Sequence, residues 1–231
     1  MKQTLLDLLR QVDTPTVCNA IEVAEGKRGF DDFTRGTVLS SAPKNGAIVG
    51  YARTAKIKAA APPAEDAEVI RARRTEYYRY MSQCSDPAVA VIEDQDGDAA
   101  IGAYWGEINT TIHKGFGLSG ALTNGVMRDL GDLPDGFPVI ARSIGPSHGF
   151  VHVTEIDTPV TVFGLTVRPD DLVHADRHGA LVIPGILIDK LEDAITKLIE
   201  TERIILDAAR MPDFDFKDFE IAWARFEKAR T

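Results

Sequence analysis

Between Pro87 and Asp129 the chain carries a pattern that few architectures accommodate. Pro87–Ile92 is a continuous apolar run of buried-strand length. Gly106-Glu107 then opens a helix running to about Lys114, and Leu118–Leu122 is small and apolar, the next buried strand. Two such strands joined through a helix form a parallel pair with a right-handed crossover. That makes the chain an α/β protein, a class whose ligands gather at the carboxyl ends of strands. Directly after the second strand come Asn124-Gly125, a turn dipeptide tolerant of positive φ, and then Arg128-Asp129. Taken alone, this stretch reads as a surface turn with an ion pair of little energetic worth. Its place after a buried parallel strand is what makes it a candidate site.

The remaining segments fall around this unit. Residues 4–11 make a short amphipathic helix, and Asp13-Thr14-Pro15 restarts it, with Thr14 as N-cap and Pro15 in the first turn. The second helix buries Val17, Ala20 and Ile21 and ends at Gly26, leaving Asn19 and Glu22 on a solvated face. Thr37–Ser41 and Ala47–Lys58 read as strands, and Ala64–Cys84 as a long helix. That helix carries Arg71, Arg73, Arg74 and Arg79 among acidic residues, the pattern of a solvated or subunit-contacting face. Ala99–Trp105, Pro138–Ser143, Val151–Ile156, Thr158–Arg168, Leu172–Ala175 and Ala180–Ile183 are further strands, and Ile186–Ala209 is a long helix. In the tail, Phe219, Trp223 and Phe226 recur at helical spacing, a stripe suited to a subunit contact.

Charge narrows the function. With 26 basic against 35 acidic residues, a net of −9, the chain lacks the basic face that nucleic acid requires. Cys18 and Cys84 belong to no C-x-x-C pair, and free thiols suit a cytoplasmic protein. Leu5, Leu6, Leu8 and Leu9 are interrupted by Asp7, so no signal peptide is expected. Nor does any apolar run approach the roughly 20 residues of a membrane span. His148/His152 and His174/His178 are spaced four apart, which converges on one metal only on a helix. Both pairs lie in loop or strand, so zinc is not expected.

Oxygen ligands are a better prospect. Glu107 opens the helix after Gly106, and Asp129 follows the next strand, so parallel strands bring both carboxylates to one end of the sheet. Carboxylates plus water suit Mg²⁺. Arg128 adds a fixed positive group for a carboxylate or a developing enolate, and the amides of Ile108 and Asn109 offer a second anion site. These parts suit metal-assisted cleavage of a 2-oxo acid through a pyruvate enolate.

The same residues resemble a known family. Gly106-Glu107, Gly120 through Asn124-Gly125-Val126-Met127-Arg128-Asp129, Gly136-Phe137-Pro138-Val139-Ile140-Ala141-Arg142 and Val167–Asp176 are similar to segments of the 4-hydroxy-4-methyl-2-oxoglutarate aldolases. That family also includes the RraA-like regulators of ribonuclease E activity. Thr16–Ala20 and Val49–Thr54 match related segments, and the likeness covers about residues 14–184. It implies a swivelling β/β/α-type α/β domain over residues 1–185, with helices flanking mixed sheets. C-terminal helices over 186–231 would then pack on the domain or on a neighbouring subunit. It further implies a homotrimer or homohexamer with interfacial active sites, and a class II aldolase using Mg²⁺ or Mn²⁺ that also decarboxylates oxaloacetate. By position, Asp129 would bind the metal and Arg128 would contact the pyruvyl oxygens. Glu107 would hold metal-bound water as a proton donor, and the backbone of Gly106, Glu107, Ile108 and Asn109 would receive the substrate carboxylate. Glu200 or Glu202 of a neighbouring subunit would complete the shell.

Departures from the family pattern bear on the substrate beyond its pyruvyl half. Asn19 stands where Asp is common, Thr123-Asn124 replaces Val-Asp, and Asn109–Lys114 is more polar than the usual small apolar helix. His113, Lys114 and His148 are candidates to line an altered pocket. The alternatives are a non-catalytic regulator that binds a ribonuclease, and a hydratase or decarboxylase acting on another 2-oxo acid.

Overall fold

The computed structural model describes residues 1–84 and 87–230. Six α-helices cover Gln3–Gln11 (α1), Thr14–Glu25 (α2), Ala67–Ser82 (α3), Glu107–Gly115 (α4), Ile188–Ala209 (α5) and Phe216–Arg230 (α6). The first strands are Leu39–Ser40 (β1), Ile48–Lys58 (β2), Ala88–Asp94 (β3), Ala103–Trp105 (β4), Leu118–Thr123 (β5), Val126–Met127 (β6) and Val139–Ala141 (β7). Then follow Ser143–Ile144 (β8), His152–Ile156 (β9), Val160–Val162 (β10), Leu165–Val167 (β11), Leu172–Asp176 (β12) and Gly179–Ile183 (β13).

The main sheet is mixed and runs β1-β7-β5-β3-β2-β12-β13. β2, the longest strand, organises it. One edge pairs in parallel with β3. The other pairs antiparallel with β12 through Ile48–Tyr51 and with β9 through Ala55–Lys58. β3, β5 and β7 are parallel neighbours, and α4 is the crossover between β3 and β5, as the hydropathy pattern requires. A small second sheet, β4-β6-β8, is wholly parallel. β10 and β11 form a separate hairpin.

Buried apolar side chains form three groups. One, with Tyr77, Met81, Trp105 and Phe137, lies between the sheet and the α3–α4 layer. A second packs α1, α2 and α5 against the β2–β12–β13 end of the sheet through Leu9, Ile21, Leu191 and Ile195. The third joins the β10–β11 hairpin to the sheet through Val162, Val167 and Leu122. No helix among the described residues is long and apolar enough to cross a membrane.

Several boundaries differ from the sequence reading, each for a local reason. Asp13, not Thr14, caps α2: its Oδ1 accepts the Thr16 N–H at 3.0 Å. Thr14 is buried, and its amide donates to Asp176 Oδ2 at 3.0 Å. Thr158–Arg168 is a hairpin, because Phe163 and Gly164 both take positive φ and turn the chain back. Pro138–Ser143 splits at Arg142 between the two sheets, and Thr37–Ser41 pairs only at Leu39–Ser40. In α6 the Phe216, Phe219, Trp223 and Phe226 rings stack in succession, with Phe216 and Trp223 exposed.

Gly50 sets the β2–β3 spacing. A Cβ there would lie 2.6–2.9 Å from the Ala88 backbone, which has no room to yield. Gly50→Ala is therefore expected to lose about 1–3 kcal/mol of stability, read as a lowered urea midpoint at unchanged m-value. An unchanged midpoint would contradict this packing.

Candidate functional site

The parallel strands β3, β5 and β7 are each followed in the chain by one strand of the small sheet: β4, β6 and β8. The small sheet is thus a continuation of the main one, and the carboxyl ends of its strands lie side by side. Past Trp105 the chain turns at Gly106, the N-cap position of α4. Past Met127 come Arg128 and Asp129. The Arg128 N–H donates to the Trp105 carbonyl at 2.8 Å, carrying the β4–β6 pairing one step further. The apolar run ends at Leu122, and the short β6 strand beyond it leaves no pattern in the sequence. Two residues offer too short a run to show a period.

Four of the sequence candidates meet here. Gly106 has no side chain to cap α4, and Asp129 does so from the neighbouring strand: its Oδ2 accepts the Glu107 N–H at 3.1 Å. The Arg128 Nε lies 3.5 Å from the same oxygen. Gly106 is extended, at φ −130, so any residue suits its backbone. Space is the constraint: a Cβ would lie 2.5 Å from Asp129 Oδ2 and 2.8 Å from Arg128 Nε. Asp129 itself sits at φ 55, a left-handed conformation that Asp tolerates better than most residues.

Two features mark this as a place for an anion. Arg128 Nε is buried and has no hydrogen-bond acceptor among the described residues. An unsatisfied buried donor costs about 1–3 kcal/mol, more when charged. The amides of Ile108 and Asn109, in the first turn of α4, have no intrahelical acceptor and lie at the positive end of the helix. Glu107's amide is not available, being bonded to Asp129, and its exposed side chain stands at the helix start. The Asn109 side chain points away from the site, with Oδ1 accepting from Tyr78 Oη (3.1 Å) and Nδ2 donating to the Tyr104 carbonyl (3.0 Å). Exposed Ile108, Leu130 and Ile144 follow or end the same three strands and give the site an apolar rim.

The other candidates lie elsewhere. His113 is fully buried and lines no pocket: Nδ1 donates to the Asn109 carbonyl (2.6 Å), so Nε2 accepts from Tyr77 Oη (2.7 Å). Burial pushes its pKa down to about 4, so the ring is neutral. Lys114 donates to the Asp135 carbonyl, and His148 bonds the Gly149 carbonyl in an exposed loop. His174 is buried between Thr14 Oγ1 and the Leu9 carbonyl, which occupies both ring nitrogens. Among the described residues no group of three or more His, Cys, Asp or Glu side chains converges as metal ligands. Glu200 and Glu202 lie on α5; Glu202 lines an open groove with Asn19 and Glu22 of α2.

The sequence reading missed Asn124 and Asp94. The Asn124 side chain clasps the end of β3, accepting the Asp94 N–H (2.7 Å) and donating to its carbonyl (3.0 Å). The Asp94 carboxyl is buried beneath the turn; Oδ1 accepts the Asp96 N–H, and Oδ2 has no partner. Burial raises its pKa to about 6. The Asn-Gly dipeptide is the available signal, and by itself it indicates only a turn.

Comparison with known proteins bears on the family and the fold. The family model RraA-like (Aldolase/RraA) matches residues 14–182. A Halalkalibacterium halodurans protein named "Putative 4-hydroxy-4-methyl-2-oxoglutarate aldolase" is 26% identical over 188 residues, 80% of each chain. An uncharacterised Pseudomonas syringae protein shares the fold over all of this chain and 94% of its own (TM-score 0.68, 22% identity). So does a Streptomyces coelicolor protein described as an unusual member of the RNase ES inhibitor RraA family, over 88% and 96% (TM-score 0.66, 23% identity). At these identities the two structures establish the fold alone.

Asp94 makes stability pH-dependent. Its folded pKa, about 6, exceeds the ordinary value of 3.8, so the folded state holds the proton more tightly. Stability from this group is complete below about pH 4 and is lost as pH rises through 6, up to about 3 kcal/mol. Asp94→Asn keeps the Oδ1 acceptor without the charge. It is expected to be more stable than the parent at pH 8, with the gap closing toward pH 4. A gap independent of pH would show that Asp94 is not the titrating group.

Proposed function

Since the chain belongs to the RraA-like (Aldolase/RraA) family, we propose that it is a divalent-metal-dependent lyase cleaving a 4-hydroxy-2-oxo acid to pyruvate, with oxaloacetate decarboxylation as a second activity. The observation that carries this reading is the buried, acceptor-less Nε of Arg128 beside Asp129 and the α4 amides. A cation donor, two backbone donors and a carboxylate on adjacent strand ends suit a planar 2-oxo acid and a small hard cation.

The donor set fits Mg²⁺ or Mn²⁺. Asp129 Oδ2 is held by Glu107 N–H, and among the described residues no hydrogen bond engages Oδ1, which would serve an ion. A single carboxylate suffices for a cation that keeps most of its water. Once bound, the ion adds positive charge where the substrate's 2-oxo oxygen becomes negative.

The protein's own groups do the rest. Ile108 and Asn109 N–H receive the C1 carboxylate, and Arg128 donates to the 2-oxo oxygen. In the cleavage the C4 hydroxyl passes its proton through water to Glu107, the O–H electrons form the C4 carbonyl, and the C3–C4 bond breaks. The released pair passes into the C2 carbonyl as an enolate, which the Arg128 guanidinium stabilises. Glu107, exposed at the start of α4, handles the proton that returns to C3 through water. Pyruvate and a second carbonyl compound leave. For oxaloacetate the same enolate follows loss of CO₂. Association of subunits over the apolar rim at Ile108, Leu130 and Ile144 would shield this chemistry from bulk water.

The test is pyruvate release from 4-hydroxy-4-methyl-2-oxoglutarate and from oxaloacetate, with Mg²⁺ and with excess chelator. Chelator-sensitive release is expected from both. Asp129→Asn keeps the left-handed backbone and an acceptor for Glu107 N–H, yet removes the charge; metal-dependent turnover should vanish with the melting curve unchanged. Arg128→Lys should lower kcat by about 10²-fold or more, and Gly106→Ala should do likewise by displacing both side chains. Full activity in the Asn variant would defeat the assignment. No release from either substrate, together with recovery of a ribonuclease in pull-downs, would favour a binding regulator, for which the net charge of −9 suits a basic partner.

A further inference from the structure

Beneath the site lies a buried polar cluster that the proposed chemistry does not use. Three hydrogen bonds converge on Asn109: Tyr78 Oη to its Oδ1, its Nδ2 to the Tyr104 carbonyl, and His113 Nδ1–H to its own carbonyl. Its N–H is the one polar group left over, and that amide belongs to the anion cradle. His113 in turn is held by Tyr77 Oη and packs edge-on to the Trp105 indole, with centroids 4.8 Å apart. The Trp105 carbonyl accepts the Arg128 N–H. One histidine therefore contacts Asn109 of the cradle and the side chain of Trp105, whose carbonyl holds Arg128, and two tyrosines of α3 hold Asn109 and His113 in place although α3 supplies no group to the cradle.

Filling space does not require this arrangement. Apolar side chains of similar size fill such a volume at lower risk, because each buried polar atom must find its partner. Here Asn109 and His113 are buried on a helix whose first turn faces the candidate ligand. The bonds to the Asn109 side chain and carbonyl hold in place the residue that carries the cradle amide, which is preorganisation.

We propose that Asn109 and His113 are positioning residues, through which Tyr77 and Tyr78 of α3 fix the Ile108 and Asn109 amides for the substrate's carboxylate. The inference rests on the reading that this site binds a 2-oxo acid. It assigns α3 a share in substrate affinity. Substrate binding should weaken when the cluster is cut, while the chemical step, which belongs to Arg128 and Asp129, proceeds as before.

Tyr78→Phe removes one hydroxyl from α3. It is expected to raise KM for oxaloacetate, and the dissociation constant of oxalate measured by calorimetry with Mg²⁺, by about fivefold, the equivalent of one neutral hydrogen bond. kcat should stay within twofold. His113→Leu should raise both constants by at least as much. His113→Asn, whose Nδ2 takes the place of the ring Nδ1–H, should restore them. If Tyr78→Phe and His113→Leu fold and leave KM and oxalate affinity at parental values, the cluster is structural only and the inference is overturned. If kcat falls while both constants hold, it is overturned equally. Should the parent neither turn over oxaloacetate nor bind oxalate, the 2-oxo acid reading itself fails and takes the inference with it.

Discussion

The site depends on how three parallel strands end. Asn124 closes the β3–β5 ladder by bonding both backbone groups of Asp94, and at Gly125 the chain leaves the main sheet for the small one. The Arg142 N–H donates to the Gly125 carbonyl at 3.0 Å, so β7 makes the matching step into β8. Backbone groups at a strand end must be satisfied somewhere, and here a side-chain amide satisfies them. Release of β6 from the main sheet brings Arg128-Asp129 against Gly106. Without that step, Asp129 would not reach the first amide of α4.

Held in this way, the site accepts local costs that a purely structural region avoids. Asp129 is left-handed, Arg128 Nε lacks an acceptor, and Gly106 is pressed by both side chains. The first two cost about 1–3 kcal/mol each. Such features persist where the surroundings over-determine them: β2 is paired along both edges, and His174 and His113 have both ring nitrogens bonded. Strain concentrated at strand ends beside uncommitted donors is the signature of preorganisation for a ligand.

Much of this was legible in the sequence, and what was not has identifiable causes. The β3–α4–β5 crossover was readable because strands buried on both faces show as unbroken apolar runs. Gly106, Glu107, Arg128 and Asp129 were readable as neighbours because parallel strands align their carboxyl ends, and the structure places them together. The second sheet was not readable: its members are two or three residues long, and nothing in Val126-Met127 or Ser143-Ile144 distinguishes a new sheet from a strand's continuation. His113 suggested a pocket lining, and Asn109 offered only its backbone amide, because polar side chains on a helix are usually solvated. Only the tyrosines of α3, distant in sequence, explain their burial.

A crystal structure grown with Mg²⁺ and oxalate, a planar mimic of the pyruvate enolate, tests the central claim most directly. The account predicts oxalate at the end of the small sheet, one oxygen accepting from Arg128 Nε and the far carboxylate on the Ile108 and Asn109 amides, with the ion beside Asp129. Oxalate bound in the groove between α2 and α5, with Arg128 still lacking an acceptor, would contradict it.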